Sequence, residues 1–363
     1  MKIHIDINHP AHVHYFKNFI KIMEEKGHSF VVTNRDSKII NQLLDAYGIQ
    51  HIIRNKRPEN RNKFNTMLYL FKAILNSIFV EFKHKIDLSL SFSSVPCSVA
   101  SWLRRKPSIL LDDTEHNTLN RKLYMPFAST VLTPKCFTLN IGEKQVRVDS
   151  FLEQLYLHSD VFKPNNDVIA RLGVESGKYF VMRYISYDAW HDQKVKPLSM
   201  EFKKSLIKEI EKYCPVFVSL EGECTDDFFK PYILKIAPEE MHDVLNNAYF
   251  LVAEGATMAS EAAILGTPYV YINPIQSLSY INYQSEHYGE YFNTTIDECT
   301  VKNIVEQKLK ELESSNVYDR RAIVDKIEST SINPTKFLVW FVENYPNSKK
   351  MIQQNSDCQY QFK

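Results

Sequence analysis

The feature of this sequence that most constrains its fold is a regular alternation of strand and helix patterns in two series. The first series starts at once, because Ile3, Ile5 and Ile7 alternate with polar residues and apolar residues then recur at helical spacing as far as Gly27. The second series starts near Tyr179. Such alternation is typical of parallel sheets built from βαβ units. It predicts an α/β fold with two Rossmann-like, doubly wound domains that face a central cleft.

A turn between the two series predicts the domain boundary. The sequence Pro-Asn-Asn at 164–166 favours that turn. We therefore predict an N-terminal domain over residues 1–165, a C-terminal domain over 166–345 and a polar tail over 346–363. The predicted strands are 3–7, 29–33, 50–53, 87–92, 108–111 and 129–133 in the first series, and 179–182, 216–220, 249–253 and 269–273 in the second.

Composition excludes several classes of protein. Among the 363 residues, 44 Lys+Arg stand against 43 Asp+Glu, a net charge of +1 that argues against a general nucleic-acid-binding protein. No uncharged apolar run is long enough to span a bilayer, and residues 1–10 lack the apolar core of a secretory signal, so we expect neither. The six cysteines form no CxxC pair, which favours neither a disulfide framework nor a zinc site. Together these features predict a cytoplasmic protein without a bound metal.

Residues 6–14 form the first segment that can carry chemistry, and they follow the first predicted strand. In an open parallel sheet, ligands bind at the carboxyl ends of the strands, where this segment lies. Asn8, His9, His12 and His14 are therefore candidate site residues, and a histidine there can act as a base near neutral pH. Helix capping or solvent exposure is the alternative for each histidine, but for the cluster we favour function.

Residues 112–117 form a second polar segment, directly after the predicted strand 108–111. Asp113, Glu115 and His116 are expected at the same edge of the same sheet, where carboxylates and a histidine can transfer protons. The sequence leaves an alternative equally open, namely a solvated turn in which an Asp or Thr caps the next helix.

A third segment follows the first strand of the second series and begins with Arg183. A guanidinium at such a position can hold a diphosphate through two parallel hydrogen bonds, and Ser186 can add another donor. Asp188 and His191 are further candidates for substrate contact. The alternative is a surface loop in which Arg183 pairs with Asp188 or Asp192.

Residues 253–268, AEGATMASEAAILGTP, form the most specific segment. Gly255 and Ala256 let a ligand approach the backbone, and a helix is expected to begin near Thr257. The free N–H groups and the dipole of a helix N-terminus bind anions. Glu261, one turn into the helix, can accept hydrogen bonds from both hydroxyls of a ribose. A tight βαβ turn without a ligand is the alternative, and we favour phosphate binding.

Residues 234–273, which contain this segment, resemble the nucleotide-sugar half of GT-B glycosyltransferases. They are most similar to the membrane-associated transferase that adds N-acetylglucosamine to make lipid II, and they are also similar to UDP-N-acetylglucosamine 2-epimerases. The resemblance implies that the residues contacting the donor diphosphate are Gly255, Ala256, Thr257 and Met258. It implies further that Glu261 binds the ribose and that the backbone around Ile236 binds the uracil.

The resemblance extends to the first half of the chain, where residues 107–134 are similar to the acceptor-domain segment of the same transferases. His12 matches the histidine that ends a glycine-rich loop in those enzymes, although residues 8–11 replace the glycines here. The whole chain also resembles an uncharacterised bacterial and archaeal family with the motifs NHPAHVH, DDTEH, RxxSxDAxHD and TMAxEAAxLGTP. That family is placed in the GT-B and epimerase superfamily and is linked to surface-polysaccharide synthesis.

Together, residues and resemblance predict a metal-independent glycosyltransferase with no cofactor other than its nucleotide-sugar substrate. The donor is expected to be a UDP-sugar, and the acceptor a glycan or a lipid-linked sugar in surface-polysaccharide synthesis. The phosphate-binding residues named above would offset the negative charge of the leaving diphosphate. His12 would deprotonate the acceptor hydroxyl, and Asp113 or Glu115 would help to orient it.

Two other functions remain open at this point. One is a UDP-N-acetylglucosamine 2-epimerase, in which Asp113, Glu115, His116 and His191 would surround the sugar. An epimerase converts its sugar without an acceptor, whereas a transferase requires one. The other is a non-catalytic protein that binds a nucleotide-sugar at a degenerate site, and the altered loop at residues 8–11 is consistent with it.

Residues 54–85 are a candidate segment for binding to a membrane surface. They carry eight Lys and Arg against two acidic residues and include the apolar stretches 67–71 and 73–75. An amphipathic helix of this composition can dock on anionic lipid at the inner face of a membrane, close to a lipid-linked acceptor. A core helix with a basic outer face is the alternative, which the sequence slightly favours.

Overall fold

The computed structural model describes residues 1–56, 58, 62–185, 198–222, 224–273, 278–314 and 319–363. The chain divides into two units: the first combines Met1–Val161 with Ser331–Lys363, and the second is Phe162–Thr330. Each unit is built on one parallel sheet whose strands alternate with helices along the chain. The predicted α/β class with two doubly wound sheets is therefore confirmed.

The strands and helices have the following bounds. The strands are β1 (Lys2–Ile7), β2 (Ser29–Asp36), β3 (His51–Lys56), β4 (Leu88–Phe92), β5 (Ser108–Leu111), β6 (Thr130–Pro134), β7 (Gln145–Val148), β8 (Phe180–Tyr184), β9 (Val216–Leu220), β10 (Phe250–Ala253), β11 (Tyr269–Ile272) and β12 (Tyr291–Thr294). The helices are α1 (Pro10–Glu25), α2 (Lys38–Ala46), α3 (Lys63–His84), α4 (Val95–Leu103), α5 (Thr118–Tyr124), α6 (Gln154–Leu157), α7 (Asp167–Leu172), α8 (Met200–Ile210), α9 (Met241–Asn247), α10 (Ala256–Ile264), α11 (Ser279–His287), α12 (Glu298–Glu313), α13 (Arg320–Thr330), α14 (Pro334–Glu343) and α15 (Asn347–Gln354).

The order of the strands fixes one special position in each sheet. The first sheet has the order β3-β2-β1-β4-β5-β6-β7, so the direction of winding reverses between β1 and β4. The second has the order β12-β11-β10-β8-β9, and its winding reverses between β8 and β10. In open parallel sheets, ligands bind beyond the carboxyl ends of the strands at such a reversal.

Both faces of the central strand β1 are buried, which explains its composition. Ile3, Ile5 and Ile7 are at most 1% exposed, and the intervening His4 and Asp6 are fully buried. A parallel sheet is covered on both faces, so both sets of alternating side chains leave water. The two polar side chains of β1 must therefore find partners inside the unit.

Capping residues and one glycine fix where several helices begin and end. The Ser94 hydroxyl accepts the Cys97 N–H at 3.3 Å at the start of α4, and Asn333 caps α14 through the N–H groups of Thr335 and Lys336. Gly266 ends α10 with φ +71°, and a Cβ there would lie 2.7 Å from a backbone oxygen. That position therefore requires glycine.

Each predicted strand overlaps a strand of the structure, whereas β7 and β12 were not predicted. Both are four-residue strands at the edge of their sheet, with the sequences Gln-Val-Arg-Val and Tyr-Phe-Asn-Thr. Edge strands are only partly covered, so they carry polar residues and give a weak pattern.

Two predicted domain limits are wrong at the carboxyl end of the chain. Residues 331–345 were assigned to the second domain, but they belong to the first unit. Residues 346–363 were predicted as a polar tail, but they form α15 and a 3₁₀-helix (Ser356–Phe362) that pack on the same unit. Ser348, Ile352 and Gln359 are buried there, so a mostly polar segment is held by a few inward-facing residues.

A single glutamine tests this packing. The Gln359 Oε1 accepts the backbone N–H of Asp149 at 2.8 Å, and Gln359→Ala leaves that partly buried N–H without its acceptor. We expect the loss to cost about 1–3 kcal/mol and to lower the Tm of the first unit by several degrees in calorimetry. Gln361→Ala, at an exposed position of the same helix, is the control. Equal melting temperatures for the two variants would show that the segment is a tail.

Candidate functional site

The predicted site segments lie beyond the carboxyl ends of strands at or next to the two reversals. In the first sheet, residues 8–14 follow β1, and residues 112–117 follow β5, which neighbours β4. In the second sheet, Arg183 lies in β8, and Gly255 follows β10. Each unit thus carries a group of candidate residues at the position where its fold places a ligand.

Asp6, at the end of β1, is the centre of a buried polar network in the first unit. Its carboxylate accepts hydrogen bonds from Arg54 at 2.6 Å, Ser94 at 2.5 Å, Asn8 at 2.8 Å and Thr33 at 2.9 Å. Burial opposes ionisation, but the Arg54 guanidinium and these hydrogen bonds outweigh it, so the pKa of Asp6 lies below its ordinary value. The carboxylate is therefore ionised and fully paired.

This network positions His12. Arg54 also donates to the Asn8 side-chain oxygen at 2.8 Å, and the Asn8 backbone N–H donates to His12 Nδ1 at 3.3 Å. Because a backbone N–H can only donate, Nδ1 is unprotonated and the proton of the neutral ring lies on Nε2. The ring lies 4.8 Å from that of Phe92, centroid to centroid.

The surroundings of His12 keep it neutral. Burial is the largest cause that holds the pKa of His12 well below its ordinary value. The positive charges of His9 and Arg35 lower this pKa further, and the negative charge of Asp6 raises it in part. His12 also lies in the first turn of α1, where the positive end of the helix dipole disfavours an imidazolium. A neutral ring with Nε2–H is suited to donate a hydrogen bond to a substrate oxygen.

The other two histidines of this segment have local roles. His9 caps α1, since its Nδ1 accepts the Ala11 N–H at 3.2 Å. His14 is buried, hydrogen-bonds the Tyr47 hydroxyl at 3.2 Å and stacks on Tyr156 at 5.3 Å. Of the three predicted histidines, His12 is the one that the Asp6 network holds.

The segment 112–116 is tied down by Asp112. Its carboxylate accepts hydrogen bonds from Arg121 at 3.0 Å, from the Thr114 N–H at 3.0 Å and from the Tyr124 hydroxyl. Arg121 also donates to the backbone oxygens of Thr114 and Glu115. Asp112 therefore anchors the segment that carries Asp113 and Glu115.

Asp113 is the carboxylate whose protonation is most perturbed. Burial raises its pKa to about 7, and the neighbouring carboxylates of Asp112 and Glu115 add to the rise, against a hydrogen bond from Thr114. A pKa near the working pH suits a residue that exchanges a proton with substrate. Glu115 is also buried and accepts the Thr138 N–H at 3.3 Å, and His116 is half-buried beside it.

In the second unit, Arg183 lies in β8, and Glu254 directly follows the neighbouring strand β10 at the reversal. Arg183 donates to the Ser219 hydroxyl at 2.9 Å. Burial lowers its pKa, and the negative charges of Glu221 and Glu261 only partly offset this. The buried Glu254 carboxylate lies 2.6 Å from Lys203 Nζ and accepts the Ile185 N–H at 3.0 Å. Through these contacts Glu254 joins the end of β10 to the end of β8.

Gly255 is the N-cap residue of α10, and the end of β8 lies close to it. A Cβ on Gly255 would lie 3.3 Å from a side-chain carbon of Ile185 and 3.9 Å from one of Arg183. The residues of the first turn, 256–258, are only partly buried. Because the first N–H groups of a helix have no partner within it, this turn presents donors and a positive dipole end at the reversal.

Glu261 follows one turn later on α10 and lies against α9. Its Oε1 is 3.1 Å from Nε2 of His242, and both side chains are buried. Ile236 lies before α9 and is half-buried. Two residues earlier the chain runs beside β9, since Leu234 donates its N–H to Val218 O. The structure thus brings Arg183, the start of α10 and Glu261 together in one unit. The predicted residues Ser186, Asp188 and His191 lie outside the described residues.

Comparison with known proteins identifies the family. The family model described as "Protein of unknown function (DUF354)" matches residues 1–333. The chain belongs to the DUF354 family. The DUF354 chain is 26% identical over 302 residues to "Uncharacterized protein MJ0665" of Methanocaldococcus jannaschii. The aligned region covers 79% of this chain and 86% of that protein.

Two solved structures are similar to this DUF354 protein along almost its whole length. The UDP-N-acetylglucosamine 2-epimerase from Rickettsia bellii matches with a TM-score of 0.68 and 14% identity over 98% of both chains. MurG of Acinetobacter baumannii matches with a TM-score of 0.53 and 14% identity, covering 94% of this chain and 99% of that chain. The GT-B fold inferred from the sequence is confirmed.

The candidate sites of the DUF354 chain also contain buried residues that were not predicted from the sequence, notably Asp6, Arg54 and His242. A signal for Asp6 was present, because a polar residue in a central strand must be buried and paired. The same holds for His4, whose Nδ1 lies 3.0 Å from Glu81 Oε1 and 3.4 Å from Cys97 Sγ. These atoms could group around a metal ion, but they hydrogen-bond one another and Thr33 and Ser101, which explains their burial without an ion.

The perturbed carboxyl group of Asp113 gives a stability test. The folded protein holds this proton more tightly than the unfolded chain does. The free energy of unfolding therefore falls as the pH rises from the ordinary pKa of an aspartate to about 7, where Asp113 ionises in the folded protein. Asp113→Asn removes that cost, so it should stabilise the protein by on the order of 3 kcal/mol at pH 8 and much less at pH 4. Urea unfolding at both pH values measures the difference.

Asp45→Asn provides the matched control, since its carboxylate is 74% exposed in the same unit. Its effect on stability should be small and nearly independent of pH. An Asp113→Asn effect that is equally small at both pH values would contradict the raised pKa.

Proposed function

We propose that this DUF354 protein binds a UDP-sugar in its second unit and transfers the sugar to a glycan or lipid-linked acceptor. The observation that carries the proposal is the group at the β8–β10 reversal. A half-buried arginine, the partly buried first turn of α10 and a buried glutamate–histidine pair lie together there. Cationic and N–H donors suit a diphosphate, and a carboxylate suits the hydroxyls of a ribose.

The relatives support the choice of nucleotide. The Rickettsia bellii protein is named for UDP-N-acetylglucosamine, and the sequence around Gly255 resembles the donor-binding half of GT-B transferases. In this DUF354 protein, Arg183 and the N-terminus of α10 would stabilise the negative charge that develops on the leaving diphosphate. Glu261 would hold the ribose, and the backbone around Ile236 would lie against the base.

The first unit supplies the residues for acceptor chemistry. During transfer, the bond from the sugar carbon to the diphosphate breaks, a bond to the acceptor oxygen forms, and the acceptor hydroxyl loses a proton. Ionised Asp113 would take that proton, since a pKa of about 7 makes it a competent base at neutral pH. Glu115 and His116, on the same segment, would orient the acceptor.

The geometry of His12 favours a role as a donor over a role as the base. Its Nδ1 already accepts the Asn8 N–H, and its Nε2 carries the proton. Acting as a base at Nε2 would require the opposite tautomer and the loss of that hydrogen bond. His12 would therefore donate from Nε2 to an oxygen of the substrate, and Asp113 takes over the base role expected for His12 from the sequence.

A 2-epimerase is the second candidate. The buried carboxylates of Asp113 and Glu115 beside His116 favour it, because removal and return of a proton on a sugar need closely spaced acids and bases. The similarity to the Rickettsia bellii enzyme gives further support. Incubation with UDP-N-acetylglucosamine alone separates the two: an epimer detected by NMR without an acceptor supports the epimerase, and acceptor-dependent release of UDP supports the transferase.

Calorimetric titration with UDP tests the nucleotide site. Wild-type protein should bind UDP, and Glu261→Ala should weaken binding at least about tenfold, because the charged hydrogen bonds to the ribose are lost. Glu201→Ala, at an exposed position on α8, should bind like wild type. Absence of UDP binding to the wild type would contradict the proposal, and equal affinities of the two variants would remove Glu261 from the site.

The pH dependence of turnover tests the division of roles in the first unit. The rate should rise with pH to a plateau above about 7, and Asp113→Asn should abolish this limb together with most of the rate. His12→Asn keeps a hydrogen-bond donor and should retain more activity than His12→Ala. The rate of both variants should still rise with pH towards a plateau above about 7. If the rise of the rate near pH 7 persists in Asp113→Asn and disappears in His12→Asn, His12 is the base instead.

A further inference from the structure

The helix α3 has an exposed apolar face that no described part of the chain covers. Along its 22 residues, large apolar side chains recur at helical spacing on one side. They are Phe64, Met67, Phe71, Leu75, Phe79 and Phe82, each between 48% and 66% exposed. A contiguous row of this length on a soluble surface marks an interaction site. We call these six residues the α3 face.

The opposite side of α3 accounts for its attachment to the first unit. Leu70 and Ile74 pack against a core cluster formed by residues of α4, α5 and the neighbouring strands. Asn76 donates to the backbone oxygen of Arg54 at 2.8 Å, and the fully buried Glu81 bonds His4. The helix therefore has a complete inner side, and the α3 face is a second apolar surface that the fold does not use.

The helices α4 and α5 carry further exposed apolar side chains. Trp102 and Leu103 at the end of α4 are 54% and 48% exposed, and Leu119 and Leu123 on α5 are exposed as well. Because α3 packs on α4 and α4 packs on α5, these side chains lie on the same group of packed helices as the α3 face. The α5 residues directly follow the segment that contains Asp113.

The charges around the α3 face are almost all positive. Exposed lysines and arginines at its border are Lys63, Lys72, Lys83, Lys85, Arg105 and Lys106. Among the described residues 62–106, the acidic ones are Glu81, which is fully buried, and Asp87, which lies 3.7 Å from Lys106. An apolar strip with a basic border is complementary to an anionic lipid surface, where aromatic side chains enter the interface and lysines contact headgroups.

From this complementarity we infer that the α3 face docks the protein on an anionic membrane surface, with α3 lying in the plane of the interface. None of the described helices is both long and apolar enough to cross a membrane. A second copy of the chain suits the face less well, because two-fold pairing would place one basic border against another. Docking does not depend on the nucleotide site; that it delivers a lipid-linked acceptor to Asp113 rests on the proposed function.

Co-sedimentation of the full-length protein with vesicles tests the inference. Wild-type protein should pellet with phosphatidylcholine vesicles that contain phosphatidylglycerol, less so as salt is raised, and hardly at all with phosphatidylcholine alone. Phe71→Glu combined with Phe79→Glu should lower the partition coefficient more than about tenfold, because both exposed rings are replaced by anions. Lys72→Glu combined with Lys83→Glu should weaken the salt-sensitive part of binding, because two of the six basic residues at the border become acidic.

The control makes the same chemical change elsewhere on the first unit. Ile39 and Met351 are 47% and 44% exposed on α2 and α15, and their replacement by Glu should leave pelleting unchanged. Thermal melting followed by circular dichroism reports on the fold of every variant, and UDP titration reports on the nucleotide site. Loss of lipid binding with unchanged melting therefore concerns the α3 face alone, whatever the outcome of the UDP titration.

Three results would overturn the inference. One is a wild-type protein that does not pellet with anionic vesicles. Another is equal pelleting of wild type and the Phe71→Glu, Phe79→Glu variant. The third is light scattering that shows a wild-type dimer and a monomeric variant, with lipid binding by neither, since the face would then join two copies of the chain.

Discussion

The buried ion pair of Asp6 and Arg54 is the interaction on which the rest of the first unit's site depends. It joins the central strand β1 to β3, two strands away, at 2.6 Å, and through Asn8 it fixes the tautomer of His12. Breaking a buried pair on one side leaves a charge without a partner, which typically costs about 3–5 kcal/mol. Four hydrogen bonds to one carboxylate make the arrangement rigid, so a ring at the start of α1 is presented in one orientation and one protonation state.

The two units place opposite kinds of chemistry at equivalent points of their sheets. In the second unit, the reversal between β8 and β10 gathers a guanidinium and a helix N-terminus, which attract phosphate. In the first unit, the strand ends next to the reversal carry a neutral histidine and a buried carboxyl group whose pKa is about 7. A sugar transfer from a nucleotide diphosphate requires anion binding and proton transfer, which the proposed function assigns to the second and the first unit respectively.

Much of the fold could be predicted from the sequence, because strands such as β1 and β10 carry strong period-two or fully apolar patterns. The candidate segments also lie at or next to the strand ends, because the topology alone puts loops there. Roles within the sites could not be predicted in the same way. The donor character of His12 depends on a backbone N–H of Asn8, and the pKa of Asp113 depends on its burial beside Asp112 and Glu115, neither of which a sequence pattern reports. The packed residues 346–363 were missed because three buried side chains among polar ones give no period.

The measurement that tests the central claim most directly is hydrogen–deuterium exchange of the full chain with and without UDP, read peptide by peptide. The account predicts slower exchange with UDP at the backbone of residues 183–185 and 255–259, at the strand and helix ends of the second unit's reversal, with the β1 and β5 loops of the first unit unchanged. Protection confined to the first unit, or an exchange pattern that UDP does not alter at all, would contradict the assignment of the nucleotide to this site.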